Sequence, residues 1–420
     1  MKIAIIGAGF TGLTAGLRLL QKGHHVTIIE KADKPGGLAL GFSKPQWEWT
    51  LEEYYHHWFT NDHAILRLAH ELQYPVIIKR PKTSVLVDGD ILQLDSPLKL
   101  LTFSKLPLSD RLRMAFVLAA LRYDPFWKPL EGVKAATFLP RAMGQKAYKM
   151  IWEPQLKNKF GEYMHEISLA WFWARIAKRT SSLAYPKKGF LPFAQTLAKE
   201  IQNLGGEILY QTSIEHIEKT ADGFSLGKNF GTFDKVVVTL PSFAFLKLFP
   251  HLPDAYKKKL QPLQGLGAQT VVLRLKEAFF KDGTYWLSVC DTSSPVLAIV
   301  EHTNFMDKKY YHNEHLVYLG NYLSPGHPYF SKSAKELMQI FDPYLRKINP
   351  DYEKNLLGTD VFSVPFAQPI VPINYSKMVP AIKTPIDGLY LANMQQVYPW
   401  DRGTNYAVEL GENVAKKIIA

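Results

Sequence analysis

The chain opens Met1-Lys2-Ile3-Ala4-Ile5-Ile6-Gly7-Ala8-Gly9-Phe10-Thr11-Gly12. Ile3 to Ile6 is a short apolar run of strand type, and it ends directly on three glycines spaced G-x-G-x-x-G. In that setting Gly7 permits the tight turn, Gly9 lets backbone approach a pyrophosphate, and Gly12 lets the next helix pack closely on the strand. The helix then presents its free N–H groups and the positive end of its dipole to the phosphates. A second apolar run, His25 to Ile29, ends on Glu30. A carboxylate there accepts from a ribose 2′-OH and repels a 2′-phosphate. The spacing predicts a β-turn-α-β unit holding a dinucleotide at Gly7, Ala8, Gly9, Phe10, Thr11, Gly12, Glu30 and Lys31.

NAD and FAD share this fingerprint, and the next residues separate them. Pro35-Gly36-Gly37-Leu38 follows within ten residues of Glu30. With that pair the chain resembles the flavoprotein group of amine oxidases, protoporphyrinogen oxidases and phytoene desaturases, and more distantly UDP-galactopyranose mutase. The resemblance implies that Gly36, Gly37 and Leu38 lie against the pyrophosphate of a non-covalently held FAD. Leu38 stands where the group often has arginine.

Working outward, the middle and the end of the chain resemble the same group. Pro186-Lys187-Lys188-Gly189 is a turn, Phe193 to Leu204 has helical spacing, and Glu207 to Gln211 and Ile214 to Glu218 read as strands. Lys235 to Leu240 is a buried strand stopped by Pro241. The resemblance implies that the chain returns here to the FAD domain, with Ile214 beside the adenine. Near the C-terminus, Asp387 to Ala392 reads as a strand, and Thr404 opens a helix after Tyr398-Pro399-Trp400-Asp401-Arg402-Gly403. The implied flavin contacts there are Asn393, Gly403, Thr404 and Asn405, with the helix N-terminus against the ring. The expected fold is α/β: a Rossmann-type FAD-binding domain, glutathione reductase-like, interleaved with a mixed-sheet and helical substrate domain. Residues 1–80, 186–255 and 358–420 are assigned to the first domain, and 81–185 and 256–357 to the second.

At 420 residues the chain is long enough for two or three cores, and a composition 47% hydrophobic and 21% charged is that of a globular protein. The net charge of +12 favours anionic partners. No zinc-finger, helix-turn-helix or RNP-like pattern accompanies it, so nucleic acid is not an expected partner. A single cysteine, Cys290, rules out a disulfide within the chain and favours a reducing cytoplasm.

Two further stretches draw attention. Gln46 to Leu72 is rich in rings and histidines, with Trp47, Trp49, Tyr54, Tyr55, His56, His57, Trp58 and His63, and turns helical after Asp62, a candidate N-cap. The resemblance puts this segment and the start of the C-terminal helix near the flavin, so His56 and His57, with Arg402 two residues before that helix, are the catalytic candidates. Trp171, Trp173 and Tyr398 are candidate walls of a substrate chamber. No metal site is expected. A helix over 109–123 is apolar on every face from Met114 to Leu121, between Arg111, Arg113 and Arg122. Core packing is expected, with shallow contact on an anionic membrane, at its inner face, as the alternative.

The resemblance implies an FAD-dependent oxidoreductase that moves hydride from a lipophilic or phosphorylated small molecule to flavin N5. The alternatives are a non-redox sugar-nucleotide mutase and a flavin-bearing structural subunit. Oligomeric state is left open.

Overall fold

Alternation along the first strand shows how this chain builds its centre. In the computed structural model, which describes residues Met1–Ala420, β1 (Lys2–Ile6) sends Ile3 and Ile5 into one hydrophobic cluster and Ala4 and Ile6 into another. Both faces are therefore covered, as an all-parallel sheet requires. α1 (Phe10–Leu20) and β2 (His25–Ile29) complete the predicted unit, and α2 (His63–Glu71) follows the ring-rich stretch.

The chain then makes the hairpin β3 (Lys82–Val87) and β4 (Asp90–Gln93). A helical block follows: α3 (Pro97–Leu101), α4 (Leu108–Tyr123), α5 (Glu153–Phe160) and α6 (Leu169–Lys178). Next come α7 (Phe190–Asn203), β5 (Glu207–Leu209) and β6 (Lys235–Val238). Four long strands follow, β7 (Gly265–Leu275), β8 (Thr284–Val289), β9 (Ala298–Glu301) and β10 (His315–Leu323). The chain ends with β11 (Leu356–Pro369), β12 (Leu389–Leu391) and α8 (Thr404–Ile419).

Two sheets organise these elements. The five-stranded sheet has the order β5-β2-β1-β6-β12, and every pair in it is parallel. The seven-stranded sheet has the order β11-β7-β10-β9-β8-β3-β4 and is mixed, with β8 and β3 parallel and its other pairs antiparallel. Strands far apart in sequence thus close each sheet.

Four expectations need correction. Ile214 to Glu218 is not a strand: no ladder covers it, and pairing starts only at Glu218–Thr220. Residue 358 lies inside β11, which pairs with β7 along its length apart from two bulges, so the return to the five-stranded sheet comes after Pro369. Asp62 does not cap α2, because its carboxylate accepts from Phe59 N at 2.8 Å. The cap is Asn405, whose Oδ1 accepts from Ala64 N and Ile65 N at 2.9 and 3.2 Å. It satisfies helix-end donors from the far end of the chain.

The fourth correction concerns α4, which is not a core helix. Only Met114 and Leu121 are buried, on the side facing the block. Leu108, Leu112 and Phe116 at i, i+4 spacing, and Tyr123 seven residues further on, form an outward stripe, with Phe116 74% and Tyr123 81% exposed. Leu98 and Leu101 of α3, which packs on α4, and Phe126 are exposed as well. All-round apolarity reveals which residues avoid water but not which of them find a neighbour.

Candidate functional site: a nucleotide cradle and a cationic cleft

The glycine loop and the Gly-Gly pair meet in space. Gly9 and Gly36 form an isolated parallel bridge, and Gly36 N donates to Ala8 O at 3.0 Å. At Gly37 φ is +60°, and a Cβ there would stand 3.0 Å from Gly9 Cα. Any side chain would fill the cradle and sit in a backbone region that L residues seldom adopt. At Gly12 the limit is packing: a Cβ would lie 2.0 Å from Gly7 O. α1 starts at Phe10 without a side-chain cap and with no acid in its first turn, which leaves its N-terminus open to an anion.

Glu30 closes the other side. Its carboxylate accepts from Ala8 N at 2.7 Å and Ala32 N at 2.8 Å, one bond to each oxygen. Each oxygen keeps a second lone pair for a ribose hydroxyl. Thr212 N donates to Glu30 O, which draws the loop carrying half-buried Ile214 along the end of β2. Lys31 points to solvent, and Leu38 is half-buried beside the pair. This half of the site fits an adenine dinucleotide.

α8 begins at the other end with the same geometry: Gly403 is its N-cap, no side chain caps it, and no acid lies in its first turn. The Thr404 hydroxyl accepts from Trp58 Nε1 at 2.8 Å, which ties the ring-rich segment to this helix start. Asn393 and Asn405 are buried and committed to structure. Asn393 donates to Leu240 O and caps Gln395 N, while Asn405 caps α2 and donates to Glu409.

Near the helix start the ring-rich segment meets Arg402 in a cluster, which we call the cleft: Tyr55 and His56 stand close enough to Arg402 to feel its charge, and with His57 each of the four keeps part of its surface open. His56 Nδ1 lies 2.5 Å from Tyr54 O, and His57 Nδ1 lies 3.1 Å from Tyr285 OH. Burial holds the two imidazoles down at about 4 and about 3, so both are neutral near pH 7. The charge of the cleft is therefore set by other residues.

Those residues gather around Asp401. Arg175 Nη1 lies 3.0 Å from Asp401 Oδ2, and Lys159 Nζ lies 3.7 Å from the same oxygen. Trp171 Nε1, Arg402 N and Gln368 Nε2 donate to Oδ1. The cations around it hold the Asp401 carboxyl well below the usual carboxylate range, against its burial. Arg402 makes no side-chain ion pair with Asp401 or Glu409; its Nε donates to Ala367 O and its Nη2 to Tyr322 OH. Sequence reading missed Lys159, Arg175, Tyr55 and Tyr322. Lys159, within Lys157-Asn158-Lys159, carries no sequence mark that separates it from a solvated surface lysine.

The tryptophan pair divides. Trp171 faces the cleft residues, with Lys159 Nζ 5.0 Å and Arg175 Cζ 5.1 Å from its ring. Trp173, two positions on and so on another side of α6, donates to Asp124 O and stacks on Trp400 at 5.0 Å. Tyr398 packs elsewhere, on Trp127 and Tyr375. Cys290 is half-buried beside Ile151 and Gln155, and burial pushes its thiol up to about 12. No group of three or more His, Cys, Asp or Glu side chains is arranged to hold a metal ion.

A parallel sheet with a glycine cradle at its strand ends, in one chain with a mixed sheet, defines a dinucleotide-binding protein. Comparison with known proteins agrees. The profile for flavin containing amine oxidoreductases matches residues 10–419. The chain belongs to that family and is an FAD-dependent oxidoreductase.

Solved structures of similar fold include cyclohexylamine oxidase from Brevibacterium oxydans IH-35A, at TM-score 0.74 and 15% identity over 99% of this chain and 98% of the other. Reduced UDP-galactopyranose mutase matches at TM-score 0.77 and 16% identity, over 100% and 95%. Among curated proteins, the 4,4′-diapophytoene desaturase of Staphylococcus aureus strain Newman is 60% identical over 37 residues, 9% of this chain and 7% of the desaturase. The match spans less than a tenth of that relative's length.

Proposed function

We propose that this protein oxidises a lipophilic or phosphorylated small molecule while resting on an anionic membrane surface. Bound FAD would supply the chemistry by accepting a hydride at N5. The chain's part is to hold the cofactor along Gly7 to Gly12, Glu30 and Gly36–Gly37, and to orient substrate in the cleft of Tyr55, His56, His57 and Arg402. Flavin enzymes of this kind need no acid–base triad, since the cofactor carries the reaction. The observation that carries the reading is the tie of the ring-rich segment to the uncapped start of α8, through Trp58 and Thr404.

An anaerobic titration separates this reading from its rival. Polyprenyl phosphates, amines and UDP-sugars would be added in turn to the oxidised holoenzyme. Loss of the flavin's visible absorbance with one of them is the expected outcome. Ring isomers of a UDP-sugar, formed only by prereduced enzyme and without consumption of an oxidant, would establish the mutase reading instead.

The membrane contact rests on the outward stripe of α3 and α4. Arg111, Arg113 and Arg122 flank it, and each spends its guanidinium on backbone carbonyls, not on a carboxylate. Their charges remain available to acidic headgroups, while Leu112 and Phe116 are placed for shallow insertion. No helix is long and apolar enough to cross a bilayer. In vesicle flotation the holoenzyme should bind acidic phospholipid, with affinity that falls as salt rises. L112D/F116D should lose flotation and keep its FAD, because neither side chain is buried. Equal flotation of the double variant removes the stripe from the contact.

A further inference from the structure

We infer that Lys159 and Arg402, supported by Arg175, form an oxyanion subsite in the cleft, and that the substrate carries a phosphate or carboxylate there and not an amine. This rests on the flavoenzyme reading above and narrows its substrate class.

The first ground is a charge count. Three basic side chains converge, two of them guanidinium ions, and the one carboxylate within ion-pair distance of any of them is Asp401. Asp401 is already engaged by Arg175 at 3.0 Å and by three N–H donors. Its distance to Lys159, 3.7 Å, is beyond hydrogen-bonding range. The Lys159 side chain is 9% exposed, and its ammonium otherwise meets only rings: Trp171 at 5.0 Å, Tyr322 at 5.1 Å and Phe160 at 5.7 Å.

The second ground is where the donors stand. The Tyr322 ring is shared, with Lys159 on it at 5.1 Å and Arg402 Cζ at 5.0 Å. Arg402 uses Nε and Nη2 and leaves Nη1 free. Arg402 also lies one residue before Gly403, the N-cap of α8, so its backbone adjoins the uncapped helix end. Burial lowers the Lys159 pKa well below the ordinary lysine value, against the attraction of Asp401, so an incoming anion that supplies a hydrogen-bond acceptor favours the protonated side chain. A protonated amine would meet the same positive field and be repelled.

The test uses FAD-loaded protein, so that the pyrophosphate cradle at Gly7–Gly12 is already filled. Pyrophosphate and succinate are titrated separately by calorimetry, with thermal unfolding followed in parallel. At least one of them should bind and raise Tm, and which one it is identifies the substrate group. K159M should weaken that binding at least about tenfold. Without anion K159M should have a Tm equal to or above wild type, because Asp401 keeps Arg175. Arg402→Gln, as second variant, should weaken binding likewise while retaining flavin.

K159M with a lowered Tm and unchanged anion affinity would make Lys159 a structural partner of Asp401 and overturn the subsite. A yellow protein indifferent to both anions overturns it alone. A colourless protein sinks the flavoenzyme reading beneath it.

Discussion

Replacing Gly12 with valine will yield colourless protein of lowered stability. A Cβ at this position meets Gly7 O at 2.0 Å and Ile5 Cγ2 at 3.2 Å. The first of these is backbone, so a rotamer change cannot relieve the clash. β1 and α1 must move apart, and the separation carries the glycine turn away from Gly36 and Gly37. Overpacking of this kind costs on the order of 1–3 kcal/mol even where the neighbours yield. The denaturant midpoint should fall accordingly, and the ratio of flavin to protein absorbance should drop close to zero. Gly132→Ala is the control: it has open space around it and an ordinary φ, and it should retain both. Full flavin content in Gly12→Val would mean that the cofactor lies elsewhere.

The second large effect is a stability that depends on pH through Glu52. This side chain is fully buried and accepts from Tyr185 OH at 2.8 and 3.0 Å and from Phe190 N at 2.9 Å. Phe190 opens α7, whose N-cap is Gly189, so the carboxylate serves as the cap that the glycine lacks. Burial nevertheless pushes its pKa from the ordinary 4.5 up to about 7. The unfolded chain releases this proton near pH 4.5, while the folded chain holds it to about 7. Stability from this group is therefore complete below pH 4.5 and is lost as pH rises through 7.

The shift corresponds to about 3 kcal/mol. Glu52→Gln removes the titration, so the variant should gain on wild type by about that amount between pH 4.5 and pH 8. Denaturant unfolding of both proteins at several pH values measures the difference. His56, His57 and His302 titrate in the opposite sense, each with a lowered pKa, but they are common to both proteins and cancel. A difference that stays flat with pH would mean that Glu52 is ionised throughout.

The two clusters relate to each other through the fold. Glu52 lies within the ring-rich segment, with Tyr318 OH donating to its backbone oxygen at 2.7 Å. Tyr55, three residues on, packs against Tyr318 and Trp286 on the cleft side. One short stretch thus anchors α7 on one side and lines the cleft on the other. Disturbing Glu52 should therefore be read out in flavin environment as well as in stability.

What the sequence by itself determined was the part built from neighbours in the chain. The turn at Gly7 to Gly12, the strand before it and Glu30 after β2 lie within one β-turn-α-β unit. Local geometry there dictates residue type, so the cofactor was legible. The second domain's strands were legible as apolar runs for the same reason, though their pairing partners were not.

What only the tertiary structure decided was the meeting of distant side chains. Lys159, Arg175 and Asp401 come from α5, α6 and the loop before α8, and no period or spacing links them. Asn405 caps α2 across 341 residues. For α4, the sequence showed an apolar surface all round, but only the placement of neighbours left Phe116 outside and Met114 within. Propensity and periodicity act along the chain over a few residues. Ion pairs, caps and exposed faces depend on which other element stands opposite, and long-range packing sets that.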